Sequence, residues 1–465
     1  MLTAVAAIDA INDFLWSYLL IAVLLGGGLW FTLRTRCVQL RMLPDMVRSL
    51  ASSGTRHGRG RGISSFQAFA LSLASRVGTG NIAGVAIAIA MGGPGAVFWM
   101  WVVAVLGSAN AFVESTLAQL FKVRGRNAFR GGPAYYISLG IGSRAWAVTF
   151  AVLITLTFAL AFNSVQCNTV ALALDRSFDV PPVATGIACA ALTLLVICGG
   201  VRRIAVVNQV VVPVMAVLYI ALALYVVATR IDMFPTVMKT IVTSAFGLDQ
   251  AAGGALGMAV MMGVKRGLFS NEAGEGSTPN AAATAAVSHP VKQGLVQTLG
   301  VYVDTLLVCT ATAFIILCSG AMDSGLTGIE LTQSALDAEV GAAASVFVAV
   351  AVVLFAFTSI IANYYYGETN LAFIRDSRTL TYGLRAATVA VVFTGAVLPL
   401  TTAWALADIA MALMTLCNML AILWLGRYAL RLLDDYTAQR SRGLDPEYHS
   451  STCPEIAART TCWPE

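Results

Sequence analysis

Apolar runs of about twenty residues, separated by short polar loops, follow one another along almost the whole chain. Runs of that length match the hydrocarbon thickness of a bilayer, so each predicts a membrane-spanning helix. They fall near 14–33, 65–92, 95–121, 145–169, 182–200, 205–229, 253–285, 294–320, 343–366, 381–400 and 403–426. The pattern predicts an all-α integral membrane protein of about eleven transmembrane helices. Two runs, 65–92 and 253–285, are interrupted by glycines and polar residues. One N-terminal helix followed by two sets of five makes these interrupted runs the opening helices of two halves of similar length. An odd number of spans per half turns the second half over in the membrane. That is the signature of an inverted repeat whose first helices are broken. The symmetry is one of hydropathy only. The expected divisions are an N-terminal helix with a basic loop (1–62), the two halves (63–230 and 231–427) and a polar tail (428–465), floppy beyond Leu433.

Composition removes the soluble alternatives. Of 465 residues, 58% are hydrophobic and 11% charged, with a mean hydropathy of +0.78, whereas a soluble domain is about 25% charged. A net charge of +5 gives no footprint for nucleic acid, and the basic residues are better read loop by loop. One set of alternate loops holds Arg34 through Arg61, Lys122 through Arg144, Arg202, Arg203, Lys292, Arg375, Arg378 and Arg385, and the tail adds five more arginines. The opposite loops carry only Arg176, Arg230 and Lys239. This asymmetry places the N-terminus outside and the C-terminus in the cytoplasm. Met1–Asp13 has no basic residue before the first apolar run, so that run reads as a retained helix and not a cleaved signal. Six of the nine cysteines lie singly in apolar runs and read as small hydrophobes. No Cys-x-x-Cys or Cys/His cluster suggests zinc or a disulfide framework. His57, His289 and His449 fall at predicted membrane boundaries or in the tail.

The first interruption reads Arg76-Val77-Gly78-Thr79-Gly80-Asn81-Ile82-Ala83-Gly84. Glycines each cost a helix roughly 1 kcal/mol against alanine, so unwinding here is cheap. Unwound backbone at membrane depth survives only where it lines a cavity or is buried in protein. Its free carbonyls can hold a cation, and its free amides a carboxylate. The bland reading is close helix packing through Gly80 and Gly84. The second interruption, Lys265 through Gly276, sets Lys265, Arg266, Glu272 and Glu275 in an apolar tract. Facing lipid, each would cost about 2.5–3.5 kcal/mol, so they pair, line a cavity, or belong to an extramembrane loop. A third element, Phe355 through Glu368, carries adjacent hydroxyls at Thr358 and Ser359. These offer hard oxygen ligands or simply bond back to their own helix. Gln166 is either a contact between helices or a substrate contact. Glu114, Asp304 and Arg76 are isolated intramembrane charges, expected to form an internal ion pair or gate.

These motifs together resemble the alanine or glycine:cation symporter family. The likeness rests on Val77–Gly84 running on to Gly92–Trp101, on Gly131-Gly-Pro-Ala-Tyr-Tyr-Ile137, on Val264–Gly274 and on Tyr364-Tyr-Tyr-Gly-Glu368, in order over almost the whole chain. The resemblance implies a leucine-transporter-like fold, residence in the cell (inner) membrane and sodium-driven uptake of small neutral amino acids. It implies that Thr79, Gly80 and Asn81 bind the substrate carboxylate and that Phe269, Ser270, Asn271 and Glu272 face its amino end. Gln166 would line the side-chain pocket. Sodium would take carbonyls of Ala74, Val77 and Phe355 and hydroxyls of Thr358 and Ser359. One departure stands out: alanine-taking members often carry Trp where this chain has Asn363. A smaller, polar residue there opens the range to serine or glutamine.

The resulting expectation is a sodium:amino acid symporter, not an enzyme. It needs no cofactor beyond the coupling ion, contacts membrane lipid, and is a monomer or loose homo-oligomer. Three rivals stay in view: proton coupling through Glu272, Glu275 or Asp304, an ion or solute channel, and a membrane-embedded enzyme. The last lacks any His/Asp/Cys constellation at a recognisable spacing.

Overall fold

A computed structural model describes residues 12, 14–51, 62–125, 128–247 and 253–463. Most of Met1–Asp13, together with Arg56, His57, Arg59 and Arg61, lies outside the described residues. The described chain is almost wholly helical, with one two-residue hairpin, Val123–Arg124 paired to Phe129–Arg130.

The apolar runs become helices α1 (Leu15–Arg34), α2 (Leu43–Ala51), α3 (Ser65–Arg76), α4 (Gly80–Gly92), α5 (Gly95–Leu120), α6 (Arg144–Phe178), α7 (Pro182–Ile197), α8 (Gly200–Thr229), α9 (Gly253–Asn271), α10 (Thr278–Ala282), α11 (Pro290–Ser319), α12 (Gly328–Val340), α13 (Ala342–Ile374), α14 (Arg378–Val397) and α15 (Leu400–Ser441). Among the described residues, eight of these helices are long and apolar enough to cross a membrane. The α3–α4 pair, bent by 48°, makes a ninth span. α7 is apolar but shorter, and α9–α10 is divided by an unwound stretch. α2 is a short amphipathic helix, burying Met46 while Leu43 and Val47 stay exposed.

Burial sorts the helices. α5, α11 and α13 are 67% buried over their apolar windows, whereas α8 and α14 are 33% and 28% buried. The first three line the interior, and the last two offer long apolar faces to the surroundings, as lipid contact requires. The two broken elements lie together inside this ring. The entry of α3 is fixed by a capping box, in which Ser64 and Gln67 exchange side-chain and backbone bonds at 3.1 Å. Just before it, Ile63 pairs in parallel with Ala285 beyond α10.

The tail departs from its expected floppiness. α15 runs on to Ser441, and the chain then returns along the end of the helix bundle with Tyr448, Cys453 and Ile456 buried. Tyr448 N–H donates to Ser288 O at 3.0 Å, and the Trp463 indole donates to Gln119 O and Leu120 O at 3.1 Å. Lys292 binds Asp445 at 2.6 Å. The stretch looks disordered by average polarity because its few apolar residues are scattered, yet those are the ones that dock.

Candidate functional site

The first break is local chemistry made visible. α3 ends at Arg76, and Val77 leaves the helical region with φ −79° and ψ 86°. A π-helical turn over Gly80–Gly84 then starts α4. Two backbone amides freed by the break are met by side chains: Gly78 N–H donates to Asn81 Oδ1 at 2.9 Å, and Thr79 N–H donates to Gln166 Oε1 at 3.1 Å. Both amides thus end on side-chain oxygens and not on a helix carbonyl, one of them that of Gln166. The Thr79 hydroxyl is buried with no protein partner among the described residues.

At the second break α9 persists through Asn271, and the chain turns at Glu272, whose φ of +55° is left-handed. Gly274 and Gly276 follow with φ of +93° and +87°. These are angles at which side chains are strained and glycine is not. The stretch is not a solvent-exposed loop, because Lys265, Arg266, Ser270, Asn271, Glu272 and Glu275 are all buried. Glu272 accepts hydrogen bonds from Ser75 and Ser277, both at 2.5 Å. The Ser75 hydroxyl also lies 2.7 Å from Asn363 Oδ1, and Asn363 donates to Asn163 at 3.1 Å. Ser75 thus joins the first break, the second break and α13. Asn81 bonds Asp304 at 2.5 Å and Ser270 at 2.9 Å, so its side chain ties the breaks to α11. Both Glu275 carboxylate oxygens and the Asn271 amide nitrogen are buried without a protein partner among the described residues.

Oxygens gather beside the first break. The Ser359 hydroxyl lies 2.7 Å from Ala74 O, 2.9 Å from Phe355 O and 3.5 Å from Val77 O. Thr358 bonds its own helix, reaching Phe355 O at 2.9 Å and Leu354 O at 3.1 Å. The back-bonding alternative therefore describes Thr358, whereas Ser359 also reaches across to α3. Carbonyl and hydroxyl oxygens suit a small hard cation. Among the described residues no cluster of His, Cys, Asp or Glu offers a transition-metal site.

The expected ion pair among Arg76, Glu114 and Asp304 is not formed. Arg76 donates to Gln297 O at 3.0 Å and Thr278 Oγ1 at 2.9 Å. Glu114 is held by Gly274 N–H and Asn418, and Asp304 by Asn81, Ser270 and Thr305. Neutral donors stabilise these carboxylates with less desolvation than a buried guanidinium partner would need.

An aromatic stack and a charged latch cover the site on one side. The Phe269 ring packs on Phe162 (4.5 Å between centroids) and on Trp404 (4.6 Å), and its edge fills the space beside Gly80. Over Trp404 lies the Arg266 guanidinium, at 4.4 Å. Asp408 takes both Arg266 (2.8 Å) and Lys265 (2.7 Å), and its backbone carbonyl accepts the Trp16 indole N–H. Ser75, Ser277, Phe162, Trp404 and Asp408 escaped the sequence reading. Only Asp408 carried a usable signal, as a lone carboxylate within an apolar tract. The others become functional only through who stands opposite. Every site residue is closed off from the surface.

Known proteins resemble this chain in sequence over most of its length and in fold. A model of the sodium:alanine symporter family matches residues 1–450. The chain is 51% identical to the probable sodium/glutamine symporter GlnT of Bacillus subtilis (strain 168), covering 97% of this chain and 95% of that one. It is likewise 51% identical to the amino-acid carrier protein AlsT of the same organism, covering 96% and 95%. Identity to the sodium/alanine symporter AgcS of Methanococcus maripaludis is 36%, over 91% of this chain and 95% of that one. Among solved structures, MhsT in complex with L-phenylalanine aligns with a TM-score of 0.55 over 86% of this chain and 93% of that one. At 13% identity that likeness is one of fold.

Proposed function

The chain belongs to the sodium:alanine symporter family, and from that premise we propose that it imports a small neutral amino acid, alanine or glycine, driven by sodium. The observation that carries this reading is the oxygen cluster at Ser359, set directly against the first break. Ala74, Val77 and Phe355 carbonyls with the Ser359 and Thr358 hydroxyls hold the sodium ion. The amides of Gly78 and Thr79 take the substrate carboxylate once Gln166 and Asn81 turn aside. The Glu272–Ser75 pair, with Ser270 and Asn271, faces the ammonium, while Phe269 and Gln166 border the side chain. A zwitterion needs these two unlike anchors, one rich in donors and one in acceptors.

The chain crosses the membrane eleven times in this reading. α7 and the divided α9–α10 join the nine spans above, in a one-plus-five-plus-five inverted repeat with the N-terminus outside. Purified protein tests the sodium site without transport. Sodium with L-alanine raises Tm, an equal potassium concentration does not, and Ser359→Ala moves the shift to roughly ten- to a hundredfold higher sodium, as linkage requires. A shift that ignores sodium and follows pH would move coupling to the carboxylates.

A second reading, glutamine or serine as the main substrate, is favoured by Asn363 and by the name of the GlnT relative. The polar side chain of Asn363 bonds Ser75 and Asn163, leaving the pocket larger in volume than an indole would and more polar in character. Equal inhibition of uptake by glycine, serine and glutamine in wild type and Asn363→Trp would remove this reading.

A further inference from the structure

At the end of α1 away from Leu15, a cavity of about 370 Å³ opens between the α1–α2 connection and α15. It is far from the substrate site. Arg34, Arg36 and Arg41 line it on one side, and Asp434, Thr437 and Ser441 on the other. Three cations against one carboxylate leave the cavity electropositive, while the Thr437 and Ser441 hydroxyls donate back to Leu433 O and Ala438 O of their own helix. Arg36 and the next residue, Cys37, hold φ of +53° and +55°. Two consecutive left-handed non-glycine residues store strain of order 1–3 kcal/mol each, and this sharp corner is what brings Arg34, Arg36 and Arg41 around one space. Arg41 donates to Thr35 O at 3.3 Å, and Arg34 lies over the Trp30 ring at 5.2 Å. Arg34 and Arg36 have no carboxylate partner among the described residues.

The apolar surroundings fix the depth. Trp30 and Leu33 on α1, Leu40 beyond the corner and Trp424 on α15 are all exposed. An exposed tryptophan one turn before the end of a spanning helix, as Trp30 is on α1, marks the headgroup level of a bilayer, with the arginines just outside it. Acyl chains therefore have a path along Leu33 and Trp424, while a headgroup has a basic pocket of ligand size.

We propose that this cavity binds the phosphodiester headgroup of an anionic phospholipid from the leaflet on the cytoplasmic side. Guanidinium groups suit a phosphate because their paired N–H donors match its oxygens. The test is native mass spectrometry of the full chain with added phosphatidylglycerol or phosphatidylcholine, with inorganic phosphate as competitor. Wild type is expected to retain phosphatidylglycerol preferentially, and inorganic phosphate is expected not to displace it. The Arg34→Gln/Arg36→Gln double variant is expected to bind about 25-fold more weakly, at about fivefold per arginine. Asp434→Asn, an exposed change that leaves the corner intact, is expected to bind several-fold more tightly. Unaltered retention in the double and Asp434→Asn variants would overturn the proposal. So would equal binding of phosphatidylcholine, or displacement by inorganic phosphate, which would reveal a free-anion site.

Discussion

Gly80 shows how a single hydrogen atom can decide this site. A Cβ there would stand 2.8 Å from Phe269 Cδ1, and Phe269 has no retreat because Phe162 and Trp404 hold its ring from both sides. Gly80→Ala is therefore expected to reach the membrane in normal amount but to lose uptake at least tenfold. Normal uptake with a folded protein would contradict the packing argument. Ser359 gives a graded test. Losing one charge-assisted oxygen contact is worth about 1.5–3 kcal/mol, so Ser359→Ala is expected to raise half-saturating sodium roughly ten- to a hundredfold. Thr358→Ala is expected to do less, since its hydroxyl bonds only its own helix. Sodium titrations of uptake in the two variants check the order. Asn81, Ser270 and Glu272 were legible as polar residues in apolar runs, because buried polar groups are hydrogen-bonded. Which partner each found was not legible: Ser75 is one serine among many until the fold sets it between Glu272 and Asn363.

Elements carry the latch and the tail. α9 and α15 are joined by Arg266, Lys265 and Asp408. Removing one partner of a buried pair leaves an uncompensated charge, costing about 3–5 kcal/mol, whereas removing both is far milder. Asp408→Asn is expected to destabilise the folded protein more than Arg266→Gln/Asp408→Asn does, because Lys265 alone remains charged in the double variant. A thermal-unfolding cycle measures this, and additive losses would show that the residues do not act as a unit. At the bundle end, Lys122 lies under the tail between the Phe129 and Trp463 rings. Burial pushes its amine down from about 10.5 to about 7, against the opposing pull of Cys462. With the tail docked the amine sheds its proton above about 7, whereas in water it keeps it to about 10.5. The docked state binds fewer protons, so docking strengthens as pH rises between these values. Hydrogen exchange over 448–463, corrected for its intrinsic pH dependence, is expected to show protection growing across that window, and Lys122→Met is expected to flatten the trend. The spans and both breaks were legible because length, glycine and buried charge are strong signals in a bilayer. The docked tail was not, since hydropathy averages away Tyr448, Cys453 and Ile456.

At the scale of the whole molecule, two broken elements meet inside a ring of straight ones, tied to each other through Ser75, Asn81 and the Ile63–Ala285 bridge. All the site residues are buried. In the proposed function, sodium drives transport only if it binds one open conformation better than the other, which demands a differential affinity and nothing more. Placing the ion between α3 and α13, two elements that belong to different halves of the chain, gives it that leverage: if the halves move relative to each other, the ion's oxygens separate. The most direct test is uptake of labelled L-alanine into proteoliposomes under an inward sodium gradient, against an equal potassium gradient. Saturable, concentrative uptake is expected with sodium alone, displaced to roughly ten- to a hundredfold higher sodium in Ser359→Ala and lost at least tenfold in Gly80→Ala. Uptake indifferent to sodium, or flux that never saturates, would contradict it.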